Sequence, residues 1–367
     1  MKYFIHWCGL LVLAVSLLLL SGCGSGQTDK SVAVSFANSS SSWQKNGQTI
    51  KEMLEQEGFT VDLQFADTSE QQIEQIKKQI AARPKCLVIG AVDGEALTDV
   101  LAEAKAQRIP VIAYDRLIMN TDAVSYYATF DNEAVGEAMG EYIEAKLRLK
   151  SGAGPFHMEV FAGDPADNNA HLFFSGAMKV LEPYLDRGQL VIPSGEKSFD
   201  QVNTKDWKPE HAKERMSKLL RGPDAGKHHD VILAPNDGVA GGIREALAAG
   251  GYTAMPLLTG QDAESKALEA IRSGQQTITI YKDPEILVAK TVRMIKAVVD
   301  GTQPDINDVK SYNNGVLVVP SYLCTPLVID QGNLDEVKCA RGRLPDGLPG
   351  NRPFFPRTLD TFLFADL

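Results

Sequence analysis

The residues able to do chemistry in this chain recur at one kind of position, just beyond an apolar run. Asp115-Arg116 follows 110–114, and Asp164, Asp167 and Asn169 follow 158–162. Asn236-Asp237 follows 230–234, Gln261-Asp262 follows 255–259, and Lys282 follows 277–281. Carboxylates accept hydrogen bonds, Arg and Lys donate them, and Asn and Gln do both. That mixture suits a small, neutral, polyhydroxylated ligand, whose hydroxyls each donate and accept, and the charged partners strengthen the bonds. Flat C–H faces of such a ligand would pack on indoles, for which Trp43 and Trp207 are the candidates. Each residue also has a plainer reading. Asp or Asn after a strand caps the next helix, and Asp164 and Asp237 are expected as such caps. Trp43 could be core and Trp207 could pack on its own helix. The coincidence across five runs carries the argument.

Those positions have meaning only if the runs are strands of open sheets, where ligands gather outside the carboxyl ends. The pattern supports this. Ser31–Ala37 is apolar and β-branched, 42–57 reads as a helix stopped by Gly58, and 60–65 alternates as a strand. Ile73, Ile76 and Ile80 fall at helical spacing behind a capping box, Thr68-x-x-Gln71. Further strands are expected at 86–91, 110–114, 124–128, 158–162, 189–193, 230–234, 255–259 and 277–281. Helices fill the intervals at 95–107, 132–148, 169–182, 209–220, 238–249, 264–273 and 285–299. Such alternation predicts an α/β protein with parallel sheets covered on both faces, split into two lobes. Residues 340–367 hold four prolines without periodicity and read as an appendage.

Composition narrows the function classes. The chain has 367 residues, 44% hydrophobic and 23% charged, with net charge −10. The acidic balance argues against nucleic acid, which requires clustered cations. No nucleotide loop, serine-hydrolase elbow or zinc-protease motif is present. No cofactor is expected. A glycosidase needs paired carboxylates, but Arg116 beside Asp115 favours the ionised form, a poor general acid. His228-His229 lies in a polar loop and reads as solvated rather than metal-binding, and His157 and His171 read as structural. The stretch 38–42 is either a loop or a small polar wall.

The first residues form a leader: Lys2, an apolar core Leu10–Leu20, then Leu20-Ser21-Gly22-Cys23. The core is too short to span a bilayer and reads as a signal peptide. Small residues before Cys23 have the form of a lipobox, so Cys23 is expected to be lipidated after removal of 1–22, with 23–30 a flexible tether. An ordinary signal peptide is the alternative. Cys86 opens an apolar strand and reads as core.

Several segments together resemble the type I periplasmic sugar-binding proteins of ABC importers, above all the D-xylose-binding and multiple-monosaccharide-binding group. They are Tyr114-Asp115-Arg116-Leu117-Ile118, Tyr126-Tyr127-Ala128-Thr129-Phe130-Asp131-Asn132, Asp167-Asn168-Asn169-Ala170, Asn236-Asp237 with Gly241-Gly242, Gly260-Gln261-Asp262-Ala263 and Tyr281-Lys282. The resemblance runs from about 31 to 330 in order and spacing. It implies two Rossmann-like lobes joined by three hinge strands. One holds 31–129 plus 283–320 and the other 130–282 plus 321–330, with a tail at 331–367. It implies sugar contacts from Asp115, Arg116, Asp167, Asn169, Trp207, Asn236, Asp262 and Lys282, with Trp43 as the aromatic of the first helix. One departure stands out: relatives usually carry Arg before that aromatic, and here it is Ser42. Loss of a cation that grips sugar hydroxyls is expected to change the preference or loosen the affinity, so the resemblance does not fix D-xylose as the ligand.

The implied role is an extracytoplasmic, lipid-anchored, monomeric receptor delivering a monosaccharide to a permease with a separate ATPase. A receptor feeding a chemoreceptor or histidine kinase has the same sequence features. A repressor of this fold would need an N-terminal DNA-binding helix-turn-helix where the lipobox stands.

Overall fold

The computed structural model describes residues 29–38, 41–222, 226 and 228–335. The leader, Cys23, most of the tether and the tail beyond 335 lie outside the described residues. In chain order the elements are β1 (Ser31–Ala37), α1 (Ser41–Gln56), β2 (Thr60–Ala66), α2 (Ser69–Ala81), β3 (Cys86–Gly90), α3 (Thr98–Ala106), β4 (Val111–Tyr114), β5 (Val124–Phe130), α4 (Asn132–Lys146) and β6 (Phe156–Val160). They continue with α5 (Asn168–Asp186), β7 (Leu190–Val191), α6 (Phe199–Val202), α7 (Pro209–Arg221), β8 (Val231–Leu233), α8 (Asp237–Ala249), β9 (Leu257–Leu258), α9 (Ser265–Arg272), β10 (Ile278–Tyr281), α10 (Pro284–Val299), β11 (Ser321–Cys324) and β12 (Leu327–Asp330).

The strands form two main sheets. The larger has the order β11-β5-β4-β3-β1-β2 and is parallel throughout. Its inner strands are buried on both faces, hence their unbroken apolar runs rather than alternation. One face packs on Ile76, Ile80, Leu97 and Leu101 of α2, α3 and their approach; the other packs on Ile50, Leu54, Leu287 and Val292 of α1 and α10. The second sheet, β7-β6-β8-β9, is also parallel. It is covered by α4 and α5 on one face and by α7 and α8 on the other. A β10–β12 antiparallel pair continues it through the Gln261–Ile280 bridge. Helices α4 and α5 meet at glycines: a Cβ on Gly136 would fall 2.1 Å from the Phe173 carbonyl oxygen.

The chain passes between the sheets three times: after Phe130, after Tyr281, and between Cys324 and Leu327. The last crossing revises an expectation. Residues 321–330 were assigned together to the second lobe, yet Ser321–Cys324 pairs in parallel with β5 of the larger sheet. Only Leu327–Asp330 joins β10. The division falls at Thr325-Pro326, where proline lacks the donor a ladder needs. At the start of the expected tail, Leu334 is buried with Ile329, so the fold extends to it.

Local signals explain most boundaries. Thr68 caps α2, accepting from the Gln71 N–H at 3.2 Å, while the Gln71 side chain reaches the Asp67 N–H, one residue before the usual partner. Cys86 is fully buried, and burial pushes its thiol up, as befits a core residue.

Candidate functional site

The carboxyl ends of β4, β6, β8, β9 and β10 supply the polar residues singled out from the sequence. After β4 the chain turns sharply at Asp115, whose φ of 61° is left-handed. The turn is held from all sides. The Asp115 N–H donates to the Ala128 carbonyl at 2.8 Å. Its carbonyl accepts from Tyr127 Oη at 2.6 Å, Thr129 Oγ1 at 3.0 Å and Asn169 Nδ2 at 3.0 Å. The last bond crosses from one sheet system to the other. Burial pushes the Asp115 carboxyl above the ordinary carboxylate range, and Asp167 and Asp262 push the same way against Lys282 and Arg116. Adjacency to Arg116 suggested the opposite. The reason for the reversal is burial, which outweighs the lowering by Lys282 and by Arg116, whose guanidinium is also engaged elsewhere. That guanidinium donates to the carbonyls of Ala91 (3.2 Å) and Val92 (2.9 Å), lies 5.4 Å over the Trp43 ring, and its Nε stands 3.3 Å from Asp167 Oδ2.

Asp167 divides its oxygens between two tasks. Oδ1 accepts from the Asn169 N–H at 3.0 Å and caps α5, while Oδ2 faces Arg116. Asn169 is buried, and its Oδ1 accepts from Asn132 Nδ2 at 2.9 Å. Asn236 caps α8, accepting from the Val239 N–H at 2.8 Å. The caps are therefore not the residues expected. Asp164 accepts only within its own loop, from the Ala166 N–H at 3.0 Å, and Asp237 sits one residue inside α8, buried. Capping depends on where the free N–H groups point, and the extended residue before each helix has the geometry.

Asp262, at φ 92°, places its carboxylate 3.5 Å from Lys282 Nζ. Lys282 is 14% exposed and lies 5.3 Å above the Phe173 ring. Burial opposes its charge, but the carboxylates of Asp262, Asp115 and Asp167 outweigh burial and hold the ammonium above its ordinary range. Trp207 ends a short 3₁₀ turn in left-handed conformation, edge-on to Phe173 at 6.4 Å. Its indole covers Gly163 so closely that a Cβ there would meet Cη2 at 2.0 Å. Trp43 is half-buried, edge-on to Phe36 and Tyr114.

Two groups thus assemble: Trp43, Arg116 and Asp167, and Asp115, Asp262 and Lys282. Phe173 links Lys282 to Trp207, and Asn236 joins through α8, whose next residue bonds the 261–264 segment. An open groove of about 390 Å³ lies between the loops after β3 and β4 and the loop after β6, with Arg116 and Asp167 among its walls. Sequence reasoning missed Phe173, which reads as one more apolar helix position. It also missed Tyr127 and Thr129, which brace the Asp115 turn from beneath, and Asn132, which holds Asn169, while Asp237, expected as a cap, is a buried junction. His229 overturns its solvated reading: it is fully buried, with Nδ1 2.6 Å from Tyr252 Oη. Among the described residues no group of three or more His, Cys, Asp or Glu is placed to hold a metal.

The sequence profile of the periplasmic binding protein domain matches residues 32–303. The multiple sugar-binding periplasmic receptor ChvE of Rhizobium radiobacter is 44% identical over 303 residues, 81% of this chain and 86% of the relative. The D-xylose-binding periplasmic protein of Haemophilus influenzae is 37% identical over 296 residues, 80% of this chain and 84% of the relative. A solved ABC transporter solute binding protein from Clostridium phytofermentans, with bound β-D-glucose, matches with a TM-score of 0.81 at 42% identity, covering 86% of this chain and 99% of that one. These relatives are binding proteins rather than enzymes. With its parallel two-sheet architecture and a profile match over most of its length, the chain belongs to the type I periplasmic sugar-binding proteins.

Proposed function

We propose that this chain is the lipid-anchored receptor of an ABC sugar importer and captures one aldopyranose in the cleft between its two sheets. Trp43, Asp115, Arg116, Asp167, Asn169, Trp207, Asn236, Asp262 and Lys282 are the proposed contacts. The observation that carries the reading is the meeting of opposite charges and carboxamides from both sheet systems at the strand carboxyl ends, Arg116 with Asp167 and Asp115 with Asn169. Contacts from both sides favour the closed form when a sugar bridges them, because such contacts exist only there. Closure gives the permease a shape to recognise, and the energy comes from a separate ATPase. The aldopyranose assignment draws on relatives named for multiple sugars and for D-xylose, and on one holding β-D-glucose. Ser42 favours a preference other than D-xylose alone.

Calorimetric titration with D-xylose, D-glucose, D-galactose and L-arabinose tests the reading. Heat of binding to at least one is expected, and silence across the panel refutes it. Asp262→Ala should abolish binding while the chain still melts cooperatively, since the carboxylate lies 42% exposed and the backbone bond from its N–H to the Ile280 carbonyl is kept. Wild-type affinity in that variant refutes its assignment.

A further inference from the structure

One buried carboxylate is not among the proposed contacts and yet touches the backbone around several of them. Asp237 is 3% exposed, and among the described residues no cation bonds it directly. Its Oδ2 accepts from the Glu264 N–H at 2.9 Å and from Thr279 Oγ1 at 2.9 Å. Its Oδ1 accepts from Gln276 Nε2 at 2.7 Å, and its own N–H donates to the Gln261 carbonyl at 3.0 Å. These bonds tie together three segments: α8, which carries Asp237 and begins beside Asn236; residues 261–264, which contain Asp262; and 276–279, which leads through β10 to Lys282. Gly260 permits the approach, since a Cβ there would stand 2.2 Å from Asp237 Oδ1.

We propose that Asp237 is a positioning residue for sugar binding, locking the Asn236, Asp262 and Lys282 segments at one fixed separation. The inference rests on the sugar-receptor reading above. The donors leave no slack. The Glu264 N–H cannot rotate. The Gln276 amide is oriented by Arg244, whose Nη1 donates to its Oε1, so Nε2 must face Asp237. A carboxyl satisfies these partners in either protonation state, since a proton on Oδ2 can turn to Thr279 Oγ1, whereas an amide has a single acceptor oxygen and meets a donor on one side or the other. Asp237→Asn preserves size and sets an NH₂ against either Gln276 Nε2 or the Glu264 N–H, forcing the segments apart.

The test is calorimetric titration of the full chain with D-glucose, well below the melting temperature of each variant. D237N is expected to weaken binding by about tenfold, the scale of one misplaced buried donor. D237N combined with Q276E should recover to within about threefold of wild type at about pH 5, where the new carboxyl, protonated, donates to the Ile278 carbonyl as the Gln276 amide does at 3.1 Å, accepts from the new amide and leaves Arg244 its acceptor. Thr279→Val, which removes the hydroxyl bonded to Asp237 and with it the acceptor of the Ala263 N–H, should also weaken binding and serves where D237N fails to fold. Wild-type affinity in D237N or, should that variant not fold, in T279V overturns the proposal, and so does a double variant as weak as D237N. A wild type that binds none of the four sugars refutes the receptor reading itself, and this inference falls with it.

Discussion

Asp167→Asn separates the two tasks of one side chain. The amide oxygen still accepts from the Asn169 N–H, so the α5 cap survives. What changes is Oδ2, which becomes an NH₂ facing the Arg116 Nε at 3.3 Å. Coulomb attraction between unit charges at that distance is about 5 kcal/mol at an effective dielectric of 20. Two facts reduce it. The side chains retain 19% and 9% exposure, so water screens part of the pair, and the carbonyls of Ala91 and Val92 keep the guanidinium in place without its partner. About 1–2 kcal/mol is the expected residue, between the worth of an exposed pair and the cost of breaking a buried one. Arg116 stands on the first sheet system and Asp167 on the second, so the loss falls on the closed form. A closed form weakened by that amount raises the apparent Kd for D-glucose by about 5–30-fold. Calorimetric titration at low and high salt measures it, and the gap between wild type and variant should narrow at high salt. A Kd within twofold of wild type, with the melting transition unchanged, refutes the reasoning that this pair holds the two sides together.

Other consequences are equally direct. Gly163→Ala cannot coexist with the Trp207 indole, so the ring must leave Phe173; an altered emission spectrum in a Trp43→Phe background and weaker sugar binding are expected, whereas an unchanged spectrum refutes the contact. Burial pushes the Asp237 carboxyl up to about 8, with Asp262 adding to the rise and the bonds from Glu264, Gln276 and Thr279 opposing it. Its folded value lies above the unfolded 3.8, so the stability it contributes is full below that pH and is lost as pH rises through about 8. Asp262, Glu264 and Arg244 are the ionisable neighbours around it. Urea midpoints of wild type minus those of D237N should fall between pH 5 and 8, by at most about 1.4 kcal/mol per unit in stability; parallel curves count against it. Cys23→Ser should abolish incorporation of a palmitate analogue and release the protein from the membrane fraction, and a labelled variant would contradict lipidation at that residue.

The sequence by itself determined the strand–helix alternation, the parallel sheets and the kinds of side chain at the strand ends. Those are local properties: an apolar run as short as Cys86–Gly90, flanked by Pro84 and closed by Gly90, reads as a strand buried on both faces, and a helical stripe such as Ile73, Ile76 and Ile80 needs no distant partner to be recognised. Segment order and spacing made the family legible as well. What only the tertiary structure decided is which polar residue does which task. Asn236 and Asp167 became caps, and Asp237, expected as a cap, became a buried junction among three segments. Arg116 paired with Asp167, 51 positions on, and burial raised rather than lowered the affinity of Asp115 for its proton. Residues 321–330 divided between two sheets, and His229 went inside to meet Tyr252. The reason is common to all of these. Hydrophobic periodicity is written along the chain, whereas hydrogen-bond partners and local dielectric are set by segments far apart in sequence that the fold brings within 3 Å or so.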